Sequence, residues 1–114
     1  MKQTRKRRIL IVDDSEMNRE ILTGILEDEY DIVEAEDGKK AIAIMEEGLY
    51  SFSIVLLDIT MPELDGFGVL QVMQQRNWLK ELPVIIISAE TSNECIGHAY
   101  EMGVSDYFLS LIHI

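Results

Sequence analysis

The stretch Ile9-Leu10-Ile11-Val12-Asp13-Asp14-Ser15 decides the fold that we expect for this 114-residue chain. Four apolar residues, three of them β-branched, stop abruptly at two aspartates, which is typical of a strand buried on both faces of a sheet. Beyond them, Ser15 can cap a helix in which apolar residues recur at helical spacing from Ile21 to Leu26. The chain therefore begins with a strand that leads directly into a helix.

The alternation of strand and helix continues along the rest of the chain. Short apolar runs predict strands at Asp31–Ala35, Phe52–Leu57, Val84–Ile87 and Val104–Leu109. Apolar residues at helical spacing predict helices between them, at Gly38–Gly48, Asp65–Gln75 and Thr91–Met102. Parallel strands joined by helical crossovers form a sheet with helices on both faces. We therefore predict one α/β domain.

Polar side chains follow three of the predicted strands at the point where each strand ends. Asp13 and Asp14 follow the first strand, Asp58 follows the third and Ser88 follows the fourth. Because the carboxyl ends of parallel strands meet at one edge of a sheet, we expect these side chains to converge. Carboxylates that converge repel one another unless a cation offsets their charge, and Mg²⁺ prefers oxygen ligands. The sequence therefore predicts a Mg²⁺ site at this edge.

The charge of the chain is uneven. The formal net charge is −11, and five of the ten basic residues lie in the first eight positions. Residues 9–114 carry the other five against all 21 acidic residues, so this acidic body repels a phosphate backbone. We expect no direct binding of nucleic acid. We expect residues 1–8 to be a basic, solvated amino-terminal arm.

Cysteine content and hydropathy indicate the cellular compartment in which we expect the protein. Cys95 is the only cysteine, so the chain has no internal disulfide, and its position in a helix without a partner predicts simple packing. No apolar run approaches the roughly 20 residues that a membrane span needs. The apolar run after the basic arm is too short for a signal peptide. The sequence thus predicts a cytoplasmic protein with no membrane partner.

Several stretches together resemble the receiver domain of two-component response regulators. They are ILIVDD at residues 9–14, VLLDITMPELDG at residues 55–66, PVIIISA at residues 83–89 and GVSDY at residues 103–107. The resemblance runs from about Arg8 to Phe108. It implies a flavodoxin-like (CheY-like) fold, a doubly wound five-stranded parallel sheet with strand order 2-1-3-4-5. We assign residues 9–108 to this domain.

The resemblance implies a role for each polar residue at the predicted edge. Asp58 resembles the aspartate that accepts a phosphoryl group from the phosphohistidine of a histidine kinase or a phosphotransfer protein. Ser88 resembles the hydroxyl that contacts the phosphoryl group, and Tyr107 resembles the aromatic switch. The implied ligands of Mg²⁺ are Asp13, Asp14, Asp58 and the backbone carbonyl of Thr60.

The implied function is a signalling switch rather than an enzyme. Phosphorylation of Asp58 would change the surface formed by the fourth helix and the fifth strand, which an output domain or effector beyond this chain would read. Two alternatives stay open. One is a pseudo-receiver, an interaction module without phosphotransfer. The other is a Mg²⁺-dependent hydrolase that forms an aspartyl phosphate, which is disfavoured because Thr60 is a poor acid at the position where such enzymes need one.

The carboxyl-terminal segment departs from the family pattern. The family places a lysine three residues after the switch aromatic, and this chain has Ser110 there. We also expect the last helix of the fold to be missing from this chain. The residues LSLIHI at 109–114 are what CTG TCT CTT ATA CAC ATC encodes, which matches a transposon-end adapter used in sequencing libraries. We therefore expect residues 109–114 to be a non-native tail.

Overall fold

Five strands and four α-helices alternate along residues 7–59, 61, 64–90 and 92–109, the part of the chain that the computed structural model describes. They are β1 (Arg7–Val12), α1 (Glu16–Leu26), β2 (Tyr30–Ala35), α2 (Gly38–Gly48), β3 (Phe52–Leu57), α3 (Gly66–Gln75), β4 (Val84–Ser88), α4 (Asn93–Met102) and β5 (Asp106–Leu109). All strands are parallel and form one sheet in the order β2-β1-β3-β4-β5. This order confirms the fold that the resemblance implies.

Each of the four helices begins at a capping side chain. The caps are Ser15, Asp37, Asp65 and Ser92, and each accepts a hydrogen bond from the backbone N–H three residues further on. Such a cap satisfies one of the backbone donors that the first turn of a helix leaves unpaired. Because Ser92 caps α4, Ser88 is not needed as the cap of that helix.

Strand β1 begins earlier than the sequence predicts. Arg7 and Arg8, which we assigned to the amino-terminal arm, pair with Tyr30 and Asp31 of β2. The Arg8 guanidinium also lies 4.9 Å from the centre of the Phe52 ring. These contacts extend the strand beyond its apolar run, and residues 1–6 of the predicted arm lie outside the described residues.

Strand β5 begins later than predicted, and helices α3 and α4 are shorter at their amino-terminal ends. Val104 is buried, but it precedes the strand, which starts only at Asp106. The N–H of Ser105 donates to the carbonyl of Val84 at 2.8 Å. This hydrogen bond joins the chain to β4 one residue before the regular pairing of β4 with β5 begins. In α3 the first predicted residue, Asp65, is the cap instead.

The two faces of the sheet carry cores of different size. On one face a large apolar cluster joins the sheet to α2, α3 and α4, and its fully buried members include Leu10, Leu57 and Met73. On the other face the buried residues of the described part of the chain are Ile9, Ile11 and Leu56, packed against α1. In the part of the chain that the structure describes, no helix is long and apolar enough to cross a membrane.

Candidate functional site

Three carboxylates converge at the carboxyl ends of β1 and β3. The two strands are neighbours, and the N–H of Asp58 donates to the carbonyl of Val12 at 2.9 Å, which sets Asp58 beside Asp13. Oxygens of Asp13, Asp14 and Asp58 lie within 4.8 Å of one another. The structure thus brings together three of the four predicted metal ligands. The fourth, the carbonyl of Thr60, lies outside the residues that the structure describes.

Asp13 is the buried member of this group and is held at both carboxylate oxygens. The residue is only 5% exposed. Oδ1 accepts a hydrogen bond from the N–H of Ser15 at 2.9 Å, and Oδ2 accepts one from Nδ2 of Asn18 at 3.4 Å. Burial raises the pKa of the Asp13 carboxyl, whereas the hydrogen bonds from Ser15 and Asn18 oppose that rise. Asp14 is exposed and Asp58 is half-buried.

An arginine that the sequence analysis did not single out holds the backbone of the β1–α1 loop. Arg19 donates from Nη1 to the carbonyl of Asp13 at 2.7 Å and from Nε to Glu34 of β2 at 3.0 Å. Its side chain is largely buried, and Thr23 donates a second hydrogen bond to Glu34 at 3.3 Å. The partners are distant in sequence, so no local pattern could have predicted this network.

Gly66 contacts the backbone of the predicted phosphoryl acceptor. Its N–H donates to the carbonyl of Ile59 at 2.9 Å. A Cβ at this position would lie 2.5 Å from the carbonyl oxygen of Asp58 and 2.6 Å from the Cα of Ile59. Only glycine allows α3 to start this close to the end of β3. From sequence alone, the residue is simply the start of a helix.

Ser88 and Tyr107 form the other half of the edge. Ser88 ends β4 and is 2% exposed, and its Oγ accepts a hydrogen bond from the N–H of Glu90 at 3.2 Å. Tyr107 lies on the neighbouring strand β5, and its hydroxyl donates to the carbonyl of Glu90 at 2.8 Å. Both predicted residues therefore contact the peptide groups of one residue in the β4–α4 loop.

Cys95 contacts the Tyr107 hydroxyl, and the sequence alone does not predict this contact. Its Sγ lies 3.9 Å from the phenolic oxygen, although the two residues belong to different elements. Burial first, and then the contact with Cys95, raise the pKa of Tyr107 to about 12, while a hydrogen bond with Ser88 lowers it. Tyr107 is therefore a protonated hydrogen-bond donor at neutral pH.

The donor set of the acidic cluster fits a hard divalent cation. Its ligands are oxygens, and they come from the ends of two adjacent strands whose backbones are hydrogen-bonded together. Oδ1 of Asn18, next to Asp13, is a buried acceptor without a hydrogen-bond partner among the described residues. Mg²⁺ prefers oxygen ligands and keeps several waters, so three aspartate oxygens suffice as its side-chain ligands.

Comparison with known proteins gives consistent results. The family model for the response regulator receiver domain matches residues 9–110. The two-component response regulator ORR5 of Oryza sativa subsp. japonica is 31% identical over 102 residues, which are 89% of this chain and 75% of the relative. A probable cyclic di-GMP phosphodiesterase of Vibrio cholerae is 34% identical over 106 residues, which are 93% of this chain and 24% of the relative.

Solved structures show the same relationship. A chain of the CheX-CheY-BeF3-Mg²⁺ complex from Borrelia burgdorferi matches with a TM-score of 0.86 and 29% identity, covering 94% of this chain and 80% of that chain. The signal receiver domain of a LuxO repressor protein from Vibrio parahaemolyticus matches with a TM-score of 0.85 and 27% identity, covering 95% of this chain and 81% of that chain.

Proposed function

Because this chain belongs to the response regulator receiver domain family, we propose that it accepts a phosphoryl group on Asp58 and acts as a two-component signalling switch. The observation that carries the proposal is the convergence of Asp13, Asp14 and Asp58 within 4.8 Å. The match to a chain from a complex that contains BeF3 and Mg²⁺ supports the same chemistry. The expected donor is the phosphohistidine of a histidine kinase or a phosphotransfer protein.

The proposed reaction exchanges one bond to phosphorus for another. A carboxylate oxygen of Asp58 forms a bond to phosphorus while the bond between phosphorus and the donor's imidazole nitrogen breaks. Mg²⁺, when bound, offsets the negative charge of the carboxylates and of the incoming phosphoryl oxygens. Asp13 and Asp14 would hold the ion together with Asp58. The hydrogen bonds from Ser15 and Asn18 keep the Asp13 carboxylate in place for that task.

Ser88 and Tyr107 would convert the new charge into a change of surface. Phosphorylation gives Asp58 a charge of roughly −1.5 to −2 in place of about −1. The hydroxyl of Ser88 is a hydrogen-bond donor on the neighbouring strand that can turn toward this charge. Because Ser88 and Tyr107 both contact the peptide groups of Glu90, a movement of Ser88 is transmitted to Tyr107. We propose that the result is a population shift at the α4–β5 surface.

An output domain or effector would read this surface. The chain spans about a quarter of the cyclic di-GMP phosphodiesterase that it matches, so that relative contains much more than the matched region. The α4–β5 surface exposes Tyr100, which is 45% exposed and donates a hydrogen bond from its hydroxyl to Asp106 at 3.1 Å. We propose that this surface is where the partner distinguishes the two states.

The test is labelling with acetyl phosphate in the presence of Mg²⁺, measured by intact mass. We expect the chain to gain one phosphoryl group, and we expect Asp58→Asn to gain none. Asp65→Asn is the matched control, because asparagine caps a helix as well as aspartate does and α3 should be unaffected. Labelling of Asp58→Asn would contradict the proposed acceptor.

Labelling and an assay of phosphate release together separate the alternatives. A folded chain that binds Mg²⁺ but is labelled neither as it stands nor with an ending that supplies the family's lysine at position 110 is a pseudo-receiver. A chain that releases inorganic phosphate from phosphate monoesters with repeated turnover is a hydrolase. A stable phosphoryl group on Asp58 supports the receiver function over both.

A further inference from the structure

The main chain of Asp13 is tied to β2 on both sides. Its N–H donates to the carbonyl of Ala35 at 3.1 Å. Its carbonyl accepts a hydrogen bond from Nη1 of Arg19 at 2.7 Å, and Nε of the same guanidinium donates to Glu34 at 3.0 Å. Glu34 and Ala35 are consecutive residues of a strand at the edge of the sheet, outside the acidic cluster. Strand β2 therefore fixes a predicted ligand residue of the metal site without belonging to that site.

The carboxylate of Asp13 is held by the same segment of the chain. Its two oxygens accept hydrogen bonds from the N–H of Ser15 and from Nδ2 of Asn18. Together with the two main-chain hydrogen bonds, all four polar groups of Asp13 therefore have a partner in the protein. Three of these partners, Ser15, Asn18 and Arg19, belong to α1 or to its capping residue. A change in the direction of the Asp13 carboxylate therefore breaks hydrogen bonds unless α1 moves with it.

Polar contacts, more than apolar packing, hold α1 in position. None of the residues Glu16–Leu26 that form α1 is buried, whereas α2, α3 and α4 each contain at least one buried residue. Arg19 and Thr23, one turn apart on α1, donate to the two different carboxylate oxygens of Glu34. The guanidinium is planar and rigid, so it also fixes the angle between Glu34 and the carbonyl of the β1–α1 loop. Arg19 is thus the link through which β2 sets the position of this loop.

We infer that Arg19 is a positioning residue that makes the acidic cluster favour Mg²⁺ over Ca²⁺. The inference rests on the proposed function, because it requires a cation site at Asp13, Asp14 and Asp58. Mg²⁺ demands a nearly ideal octahedron of oxygens at short distances, whereas Ca²⁺ accepts longer bonds and irregular arrangements. A carboxylate that is fixed in one direction therefore matters more for the affinity of Mg²⁺ than for the affinity of Ca²⁺.

The positive charge of Arg19 has the opposite effect on cation binding. A guanidinium next to the cluster repels any divalent cation, so its charge alone would lower the affinities of Mg²⁺ and Ca²⁺ by similar factors. Removal of Arg19 would then raise both affinities. Removal of a positioning residue lowers the affinity of Mg²⁺ and lowers the ratio of Mg²⁺ to Ca²⁺ affinity. The two effects therefore differ in sign, which allows them to be separated by experiment.

The experiment measures the binding of Mg²⁺ and of Ca²⁺ by isothermal titration calorimetry, and thermal unfolding without either ion. Three variants of the full chain are compared with the native chain. Arg19→Met removes the guanidinium and keeps an apolar stem, whereas Arg19→Lys keeps the charge and removes the planar group. Arg76→Met is the matched control, because Arg76 also pairs with a glutamate, Glu46 at 3.2 Å, but lies at the far end of α3. Unfolding without metal shows whether each variant is folded.

We expect Arg19→Met to bind Mg²⁺ about tenfold to a hundredfold more weakly, the usual effect of removing an outer contact of a metal site. Its affinity for Ca²⁺ should not fall, because Ca²⁺ tolerates a displaced ligand and one repulsive charge is gone. Arg19→Lys should also lower the ratio of Mg²⁺ to Ca²⁺ affinity, because an ammonium on a flexible stem does not fix two acceptors. If Arg19→Met does not fold, Arg19→Lys decides alone. Arg76→Met should keep the native ratio.

Four results would overturn the inference. A native ratio in Arg19→Lys would show that the planar guanidinium does not set the preference. Equal changes in the affinities of both ions in Arg19→Met would assign the effect to charge or to a general loss of the site. The same fall of the ratio in Arg76→Met would show that the effect is not local. A native chain that binds no Mg²⁺ would also contradict the metal part of the proposed function, which the first three results leave intact.

Discussion

The carboxyl edge of the sheet has two halves that are built differently. The acidic half consists of Asp13, Asp14 and Asp58 at the ends of β1 and β3, and backbone hydrogen bonds that continue the sheet hold it. The hydroxyl half consists of Ser88 and Tyr107 on the paired strands β4 and β5, and both side-chain hydroxyls are hydrogen-bonded to the backbone of Glu90 in the β4–α4 loop. The comparison teaches that backbone pairing places the acidic half, whereas the hydroxyl half depends on side-chain hydrogen bonds to one loop residue.

The number of elements behind each half explains the difference. The β1–α1 loop of the acidic half is fixed to β2 through Arg19 and Glu34. The backbone at Asp58, after β3, is packed against Gly66 of α3. The hydroxyl half depends on the peptide groups of Glu90, an exposed loop residue. Both hydroxyls therefore share one attachment point in the loop. Rigid ligands suit an ion with strict geometry, whereas a switch needs a second accessible arrangement.

The largest expected effect is on Mg²⁺ affinity, measured in two single variants, one in each half. Asp13→Asn should weaken Mg²⁺ binding by about tenfold to a hundredfold, because a charged oxygen of the site is lost. Ser88→Ala should leave Mg²⁺ affinity unchanged, because Ser88 is not part of the acidic cluster. Calorimetric titration of both variants measures this. Equal losses in the two variants would show that the halves do not act separately.

A methyl group at Gly66 tests whether the acidic half is rigid. Gly66→Ala places a Cβ 2.5 Å from the carbonyl oxygen of Asp58, so the backbone of β3 or of α3 has to move. We expect a loss of about 1–3 kcal/mol in the free energy of unfolding, typical of overpacking, together with weaker Mg²⁺ binding. Urea unfolding and metal titration provide the two measurements.

Gly97→Ala is the matched control for that substitution. A Cβ at Gly97 meets no atom within 4 Å, and the residue lies inside α4. Alanine should stabilise this helix by about 0.5–1 kcal/mol, because it is the better helix former. If both alanine variants were equally stable, the contact between Gly66 and Asp58 would not restrict the site.

The pH dependence of Mg²⁺ binding tests the burial of Asp13. Burial raises the pKa of this carboxyl, and only the ionised form attracts the cation. Mg²⁺ affinity should therefore increase with pH and reach half its final value above the range in which an ordinary aspartate titrates. In Asp13→Asn the remaining pH dependence should shift to lower pH. An unshifted profile in that variant would assign the titration to another group.

In the absence of Mg²⁺, the free energy of unfolding should change with pH in the direction opposite to Mg²⁺ affinity. Because the pKa of Asp13 is higher in the folded chain than in the unfolded chain, protonation favours the folded state. This contribution is complete below the unfolded pKa and is lost as the pH rises through the folded one. The native chain without metal should therefore lose stability over that interval, and Asp13→Asn should lose less.

The smallest expected effect concerns the hydroxyl half. Cys95→Ala should lower the pKa of Tyr107 from about 12, because contact with Cys95 is the largest cause of the rise after burial. The signal of the phenolic carbon in ¹³C-labelled tyrosine measures this by NMR. The pKa of Tyr100, which burial and Asp106 raise, is the internal control and should not change.

The same shift predicts a stability change at alkaline pH. The raised pKa of Tyr107 contributes stability below the usual tyrosine pKa of about 10, and this contribution is lost as the pH rises toward about 12. In Cys95→Ala the pH interval over which this stability is lost should be narrower, because the pKa of Tyr107 should be lower. A Tyr107 pKa that does not change in Cys95→Ala would show that the thiol has no influence on the switch residue.

Most of the fold followed from apolar runs and capping residues. The predicted strand at Phe52–Leu57 and the predicted helix at Gly38–Gly48 have the bounds that the structure shows. Errors occurred where a tertiary contact extends or shortens an element, as at Arg8, whose guanidinium packs on Phe52. The predictions for Thr60, Ser110 and the rest of the tail after Leu109 stay predictions, because those residues lie outside the described part of the chain.

The sequence by itself determined which carboxylates meet, because a polar residue after a buried parallel strand can emerge only at the carboxyl edge. Only the tertiary structure decided how these residues are held. Arg19 reaches Glu34, Gly66 packs on Asp58 and Cys95 contacts Tyr107 because elements distant in sequence pack side by side. Periodicity reports which face of an element is buried, whereas contacts between elements depend on packing distances that no local pattern encodes.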